Sequence, residues 1–241
     1  MIATERTRLL VDTGLSRKET FERLNAAGIS PESLTAILIT HEHSDHIAGL
    51  QTITRKLDIP VYVSSRTAPV IPWAEDFAPK LETFAAGSAF CIGDIDITSF
   101  SIPHDAIDPV GYTFRAEGIK ISVATDLGYM PDSVRFHLRG SQALLLESNH
   151  DLEMLKVGPY PWAIKQRIMG RMGHLSNEVA CSFIREDLDT ETSTLILGHL
   201  SEHNNHPAIV AQCAQQALEG RTMFTKLVIA RPKQATETFV Y

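Results

Sequence analysis

Six consecutive residues, His41-Glu42-His43-Ser44-Asp45-His46, carry three imidazoles and two carboxylates. They follow directly on the apolar, β-branched run Thr35-Ala36-Ile37-Leu38-Ile39-Thr40, which reads as a buried strand. A strand that opens into His-x-His-x-Asp-His sets its ligands on a loop at the strand's carboxyl end. There they can converge on a point instead of alternating between two faces. Imidazole suits zinc, iron and manganese, and a carboxylate adds a harder oxygen donor. Four such donors exceed what one catalytic ion with an open position can use. The spacing therefore points to two ions side by side, completed by ligands from later in the chain. For the loop to be merely a polar surface rich in histidine, its strand context and its spacing would both have to be accidents.

Candidates for the missing ligands stand just beyond other apolar runs. His104 follows Ser101-Ile102-Pro103, Asp126 follows Ile121-Ser122-Val123-Ala124-Thr125, and His199 follows Thr194-Leu195-Ile196-Leu197-Gly198. Strand ends are where ligand sites open in layered α/β proteins. Taken singly, each could equally be an ordinary loop residue.

The stretch Thr40-His41-Glu42-His43-Ser44-Asp45-His46-Ile47-Ala48-Gly49 resembles the signature of the metallo-β-lactamase-fold hydrolases. More narrowly, the chain resembles the bacterial YycJ (WalJ, VicX) proteins. Leu146-Glu147-Ser148-Asn149-His150-Asp151, Gly173-His174-Leu175-Ser176-Asn177 and Gly198-His199-Leu200-Ser201-Glu202-His203-Asn204-Asn205 carry that narrower match, which extends over almost the whole chain. The resemblance implies an αββα four-layer sandwich. It implies one metal on His41, His43 and His104 and a second on Asp45, His46 and His199, with Asp126 bridging the two opposite a shared water or hydroxide. In that arrangement Asp45 also orients the nucleophile, and Asp12 buttresses the ligand loop without touching metal. His174 resembles the histidine that other phosphodiesterases of this fold, such as tRNase Z, use as a proton donor, and Glu147 the carboxylate that orients it. Asn149 and His150 either contact substrate or support Glu147. Relatives begin with an additional strand and a Gly/Ser-rich loop ahead of the segment equivalent to Thr7–Asp12, and this chain starts after them.

Lys156, Lys165, Arg167 and Arg171 flank Glu147 and His174, and Pro161-Trp162 precedes the last three. This reads as a basic patch with an aromatic, along which a nucleic-acid backbone could lie. The alternative is a solvated helix face over a buried tryptophan. The polar run His203-Asn204-Asn205-His206 either rims the cleft or starts a helix before Pro207.

The surrounding elements must position these residues. Thr7 to Asp12 reads as a strand, and Ser16-Arg17-Lys18-Glu19 as a capping box for a helix that Gly28 stops. Ile47 to Leu57 reads as a helix and Val61-Tyr62-Val63 as a strand. From Leu81 to Ile121 short strands alternate with the turn signals Gly93-Asp94 and Glu117-Gly118. Leu144-Leu145-Leu146, Leu195-Ile196-Leu197 and Val228-Ile229-Ala230 read as buried strands. Trp162 to Met172, Asn177 to Asp187 and Pro207 to Leu218 read as helices. Mixed strands and helices of this kind suggest helices covering two packed sheets.

The chain has 241 residues, 44% of them apolar, with no linker, repeat or low-complexity stretch, so one domain over 1–241 is expected. No window approaches the roughly 18 apolar residues of a membrane span, and the amino terminus lacks an apolar signal core. The three scattered cysteines, Cys91, Cys181 and Cys213, read as reduced core residues of a cytoplasmic protein. A net charge of −7 argues mildly against a dedicated nucleic-acid binder but leaves room for a local basic cleft.

Seventy-three positions separate Asp126 from His199, too few for the large β-CASP domain of RNase J-like nucleases. Nothing resembles the long arm of tRNase Z, and glyoxalase-type thioesterases lack the Glu-Ser-Asn-His and Gly-His-Leu-Ser-Asn stretches. What remains is a compact phosphodiesterase using two divalent ions: zinc, manganese or iron. The YycJ family is associated with exonuclease activity on DNA from the 5′ end, which makes DNA the expected substrate. A small-molecule hydrolase (a cyclic-phosphate phosphodiesterase or a lactonase-like enzyme) is the alternative. A catalytically dead regulatory partner is a third reading, against which the intact set of seven ligand candidates stands.

Overall fold

The apolar run that ends at the histidine-rich loop forms the middle strand of a five-stranded sheet. The computed structural model describes residues 1–219, 224–231 and 233–241. They group into two units, one made of Met1–Ser101 with Ala106–Ala116 and the other of Ile102–Asp105 with Glu117–Tyr241.

The first unit runs β1 (Ile2–Ala3), β2 (Arg8–Val11), α1 (Arg17–Ala26), β3 (Ala36–Leu38), α2 (Ser44–Ile47), α3 (Leu50–Leu57), β4 (Val61–Ser64), β5 (Leu81–Phe84), β6 (Ala89–Ile92), β7 (Ile95–Ser101) and β8 (Val110–Ala116). β2 to β5 pair in parallel in chain order, and β1, a two-residue strand ahead of the segment where strands were expected to begin, pairs antiparallel with β2. Ser16 caps α1 by accepting from the Glu19 amide, but the Glu19 carboxylate turns to Arg23, so half of the capping box forms. One face of the sheet buries Leu10, Ile37, Ile39, Val61 and Val63 together with Leu24 of α1 and Leu50 and Ile53 of α3. On the other face β6, β7 and β8 form an antiparallel meander. Tyr62 stacks on Phe90 at 5.5 Å, and the Tyr112 hydroxyl donates to the Ile39 carbonyl at 2.6 Å. Helices, sheet and second sheet thus lie in successive layers within this unit.

The helix expected over Ile47 to Leu57 is instead two, α2 and α3, broken at Ala48-Gly49. Asp45 and His46 therefore sit on a helical turn, not on a loop. The break is forced by the segment after β2. The Thr13 amide donates to the His46 carbonyl and the Gly49 amide to the Thr13 carbonyl. Gly14 lies so close that a Cβ there would stand 1.6 Å from the Asp45 carbonyl oxygen.

The second unit runs β9 (Ile119–Ala124), α4 (Asp132–Leu138), β10 (Ala143–Glu147), α5 (Leu152–Val157), α6 (Trp162–Met169), α7 (Asn177–Glu186), β11 (Thr194–Gly198), α8 (Pro207–Leu218) and β12 (Lys226–Ile229). β9, β10, β11 and β12 pair in parallel, with Leu146 opposite both Ala124 and Leu197. Their near-continuous apolar stretches suit strands of a parallel sheet. α4 and α5 were not expected: they are short, and their mixed polarity gives little helical period to read. α7 and α8 bury Ala180, Cys181, Phe183, Ile184, Val210, Ala214 and Ala217. Cys181 and Cys213 are joined as a disulfide between these helices, and Cys91 is exposed, so the expectation of three reduced core cysteines is corrected. Thirty-two positions separate the pair, and only the packing of α7 with α8 brings them together. Such a bond persists in oxidising surroundings and is reduced in a glutathione-poised cytoplasm. Among the described residues no helix is long and apolar enough to cross a membrane.

Because the backbone of α2 leaves no room beside Gly14, Gly14→Ala should lower stability by about 1–3 kcal/mol, as overpacking does. Thermal unfolding of the variant against wild type measures this, and an unchanged midpoint would contradict the close approach.

Candidate active site

In the first unit the site residues cluster around Asp12 and Thr40, at the carboxyl ends of β2 and β3. Asp12 Oδ1 accepts from the Thr40 amide (2.8 Å), and Oδ2 accepts from the Thr40 hydroxyl (2.9 Å) and from His46 Nδ1 (2.9 Å). His46 therefore presents Nε2 as its lone-pair nitrogen. The Thr40 oxygen, having donated its proton, accepts from His41 Nδ1 at 3.0 Å, which likewise leaves the lone pair on His41 Nε2. That atom lies 3.0 Å from His43 Nδ1. The His41 and His46 rings are 4.0 Å apart and both are buried. The Asp45 side chain is exposed, with Oδ2 3.8 Å from His46 Nε2. Glu42 does not join them: its carboxylate accepts from the Ile107 amide and ties down the loop.

In the second unit Asp126 and His199 follow β9 and β11, and Glu147 ends β10 between them. Glu147 is fully buried and accepts four hydrogen bonds. Oε1 takes His174 Nδ1 (2.8 Å) and His199 Nδ1 (2.7 Å), and Oε2 takes the amides of Leu127 (2.8 Å) and Leu175 (2.9 Å). His104 Nδ1 donates to the Gly173 carbonyl at 3.0 Å. Each of the three imidazoles thus presents Nε2. Asp126 Oδ1 stands 3.5 Å from His199 Nε2 and 3.7 Å from His104 Nε2. Those separations are long for hydrogen bonds but near the about 3.4 Å between two donors on one tetrahedral ion with bonds of about 2.1 Å. The donor set therefore fits a divalent metal. Asp126, Glu147, His174 and His199 all come within reach of a single ion. Glu147, however, has both oxygens taken by donors, and the His174 nitrogen near Asp126 is Nδ1, which already donates to Glu147. Asp126 and His199 are therefore the candidate ligands of that group.

Electrostatics divides the roles further. Burial pushes the Glu147 carboxyl up, but the hydrogen bonds and charges of His174 and His199 outweigh it and hold it well below the usual carboxylate range. Burial pulls His174 down, and its hydrogen bond and charge contact with Glu147 more than reverse this, leaving it raised. His104 and His150 are lowered, chiefly by burial. Asp12, Asp126 and His199 all have left-handed backbones, with φ of 56°, 64° and 57°. Such residues cost about 1–3 kcal/mol each and persist where the surroundings over-determine them.

The remaining candidates are placed as follows. Asn149 is buried and donates to the His199 carbonyl. His150 is buried with neither ring nitrogen hydrogen-bonded. Lys165 is turned inward, its ammonium donating to the Lys156 carbonyl at 2.7 Å, which corrects the expectation of a cation offered outward. Arg167 is exposed but pairs with Asp105 at 2.5 Å, and Arg171 lies over the Tyr129 ring at 4.1 Å. Trp162 is exposed, not buried. Asn205 and Asn177 knit the starts of α8 and α7 to the Ser148 and Asn149 carbonyls and the Ser148 hydroxyl, a framing role that the polar run did not reveal. Thr40 and the Gly173 carbonyl are site residues that sequence reasoning missed. Only the position of Thr40, immediately before the first histidine, hinted at its part.

Comparison with known proteins shows the family and the fold. Residues 7–200 match a β-lactamase superfamily domain. The chain is 38% identical over 220 residues to the exodeoxyribonuclease YycJ of Bacillus anthracis, covering 90% of this chain and 83% of that one. It is 38% identical over 227 residues to the exodeoxyribonuclease WalJ of Streptococcus pneumoniae serotype 2 (strain D39), covering 90% and 84%. Among solved structures, the metallo-β-lactamase-fold protein YhfI of Bacillus subtilis superposes with a TM-score of 0.67 at 20% identity, over 95% of this chain and 86% of that one. Zinc-bound PqqB of Methylobacterium extorquens superposes with a TM-score of 0.67 at 19% identity, over 95% and 83%. At these identities the structural matches speak for the fold.

Asp12 fixes the tautomer of His46, and removing such a partner typically weakens a metal site about 10- to 100-fold. Asp12→Ala should show that loss in a zinc competition titration while retaining a native circular dichroism spectrum. Unchanged affinity would remove Asp12 from the supporting shell.

Proposed function

The chain belongs to the β-lactamase superfamily of metal-dependent hydrolases and, within it, to the YycJ/WalJ family, and from that membership we propose that it is a phosphodiesterase that degrades DNA from the 5′ end. The observation that carries the reading beyond "hydrolase" is the Glu147–His174 pair. Esters with poor, alkoxide leaving groups need a proton, and a buried carboxylate that raises an imidazole's pKa while leaving Nε2 available is built to deliver one. We assign His41, His43 and His104 to one divalent ion, Asp45, His46 and His199 to a second, and Asp126 to both. The support is the family, the chemistry of the donors and the Nε2 tautomers described above. Bound there, two ions would acidify a shared water and neutralise charge on the phosphodiester. The chain's own part is to hold these donors through Asp12, Thr40, Glu147 and Gly173, to orient the nucleophile with Asp45, and to protonate the departing oxygen from His174. Zinc, manganese and iron all suit the ligand set.

A small-molecule phosphodiesterase is the second reading. The net charge of −7, the inward Lys165 and the Arg167–Asp105 pair favour it, since they reduce the positive charge on offer to a polyanion. A labelled, 5′-phosphorylated duplex separates the two. The metal-loaded wild type should release nucleotides from the 5′ end, and Asp45→Ala should not. A wild type that hydrolyses bis-p-nitrophenyl phosphate yet never cuts DNA would establish the second reading.

His174→Ala should lower turnover on DNA by about 10²- to 10⁴-fold, the loss expected for a general acid. The defect should shrink on p-nitrophenyl esters, whose leaving group needs no proton. Equal defects on both substrates would assign His174 to substrate positioning.

A further inference from the structure

Trp162 is an unused feature of the second unit. Its side chain is 62% exposed at the first position of α6, a large apolar ring in water, with Val157 (85%) and Met172 (50%) exposed in the same stretch. The other tryptophan, Trp73, packs against the core of the first unit. α6 is firmly seated. Lys165, on its inner side, donates to the Lys156 carbonyl at the end of α5, and the Ile168 carbonyl near its far end accepts from the His174 amide at 2.9 Å. Trp162 precedes Ile168 by six positions, so α6 separates the ring's backbone from that of His174 by about 9 Å. That is about three nucleotides of a stacked strand, with its rise of about 3.4 Å.

Charge and substrate class together narrow the occupant. Lys156, Arg167 and Arg171 face outward along this stretch, Lys156 beside Glu153 and Arg167 beside Asp105, while Lys165 turns inward, so the positive charge on offer is modest and centres on Arg171 over the Tyr129 ring. An exposed aromatic beside such a cation suits the bases of a DNA strand more than its phosphates, and a base stacked on an aromatic is held whatever its identity.

Resting on the nuclease reading above, we propose that Trp162 is a base-stacking platform that grips one strand of DNA a few nucleotides from the phosphodiester being cut. A sequence-tolerant grip suits an enzyme that must move along any strand. Nothing in the contact requires metal, so the platform acts on binding and not on the chemical step.

The test uses the metal-loaded enzyme and 5′-phosphorylated single-stranded oligonucleotides of increasing length. Trp162→Ala should lower kcat/KM about 5- to 150-fold on long oligonucleotides, the range of one lost base–aromatic stack. On a dinucleotide and on bis-p-nitrophenyl phosphate it should match wild type, and Trp162→Phe should restore most of the loss. An abasic site walked along the strand should find one position that costs wild type the same factor and costs Trp162→Ala nothing further. If wild type cuts DNA and Trp162→Ala cuts every length equally well, the platform is wrong and the nuclease reading stands. If wild type cleaves only the small diester, both fall. If Trp162→Ala instead dissociates a self-associated wild type in sedimentation velocity with no dependence on strand length, the patch is a surface between copies of this chain, and the platform is overturned.

Discussion

A carboxylate buried to the last atom dictates the arrangement of the second unit. Glu147 can remain charged there only because four donors surround it, since an unpaired buried charge costs far more than any single contact returns. Meeting that demand ties three segments together: the turn after Asp126, the loop carrying His174, and the residue after β11. Both imidazoles must bring their Nδ1 protons to the same oxygen, so one carboxylate sets the tautomer of a proposed ligand and of the proposed acid. The position is secure because β10 lies between two parallel neighbours, with Glu147 in register with Gly198.

The first unit uses the same device on a smaller scale. Asp12, at the end of β2, accepts a backbone amide from the next strand's exit and an imidazole proton from His46. In both units a carboxylate at the carboxyl end of a parallel strand first secures main chain and then aims a histidine. Placing the anion there is economical of structure, because neighbouring parallel strands deliver their exits side by side at one edge.

Much of this was legible from residue order alone. The strand before His41, the buried strands ending at Glu147 and Gly198, and the helices starting at Asn177 and Pro207 follow from apolar runs with clear turn and cap signals. What escaped was whatever depends on a close approach between distant segments. Gly49 breaks the helix after His46 because Leu15 and Thr13 crowd its backbone, which no periodicity reveals. Lys165 looked like a surface cation until its reach to a carbonyl nine positions earlier was seen. Trp162 could be read either as the aromatic of a basic patch or as a buried residue under a solvated helix face, and only packing shows the ring exposed. In the candidate site the imidazoles and carboxylates are conspicuous by type, but Thr40 and the Gly173 carbonyl have no compositional signature.

The left-handed turns at Asp12, Asp126 and His199 have a kinetic consequence. Each is a place where the main chain would relax if released, and glycine or asparagine would sit there more comfortably than the side chains the chemistry requires. Strand exits strained in this way should open as local events well before the sheets do, exchanging their amide hydrogens early while those of β3 and β10 stay protected. Loading a cofactor into such a protein would then be governed by how often these exits open, and its retention by how seldom they do once the strain is held from both sides.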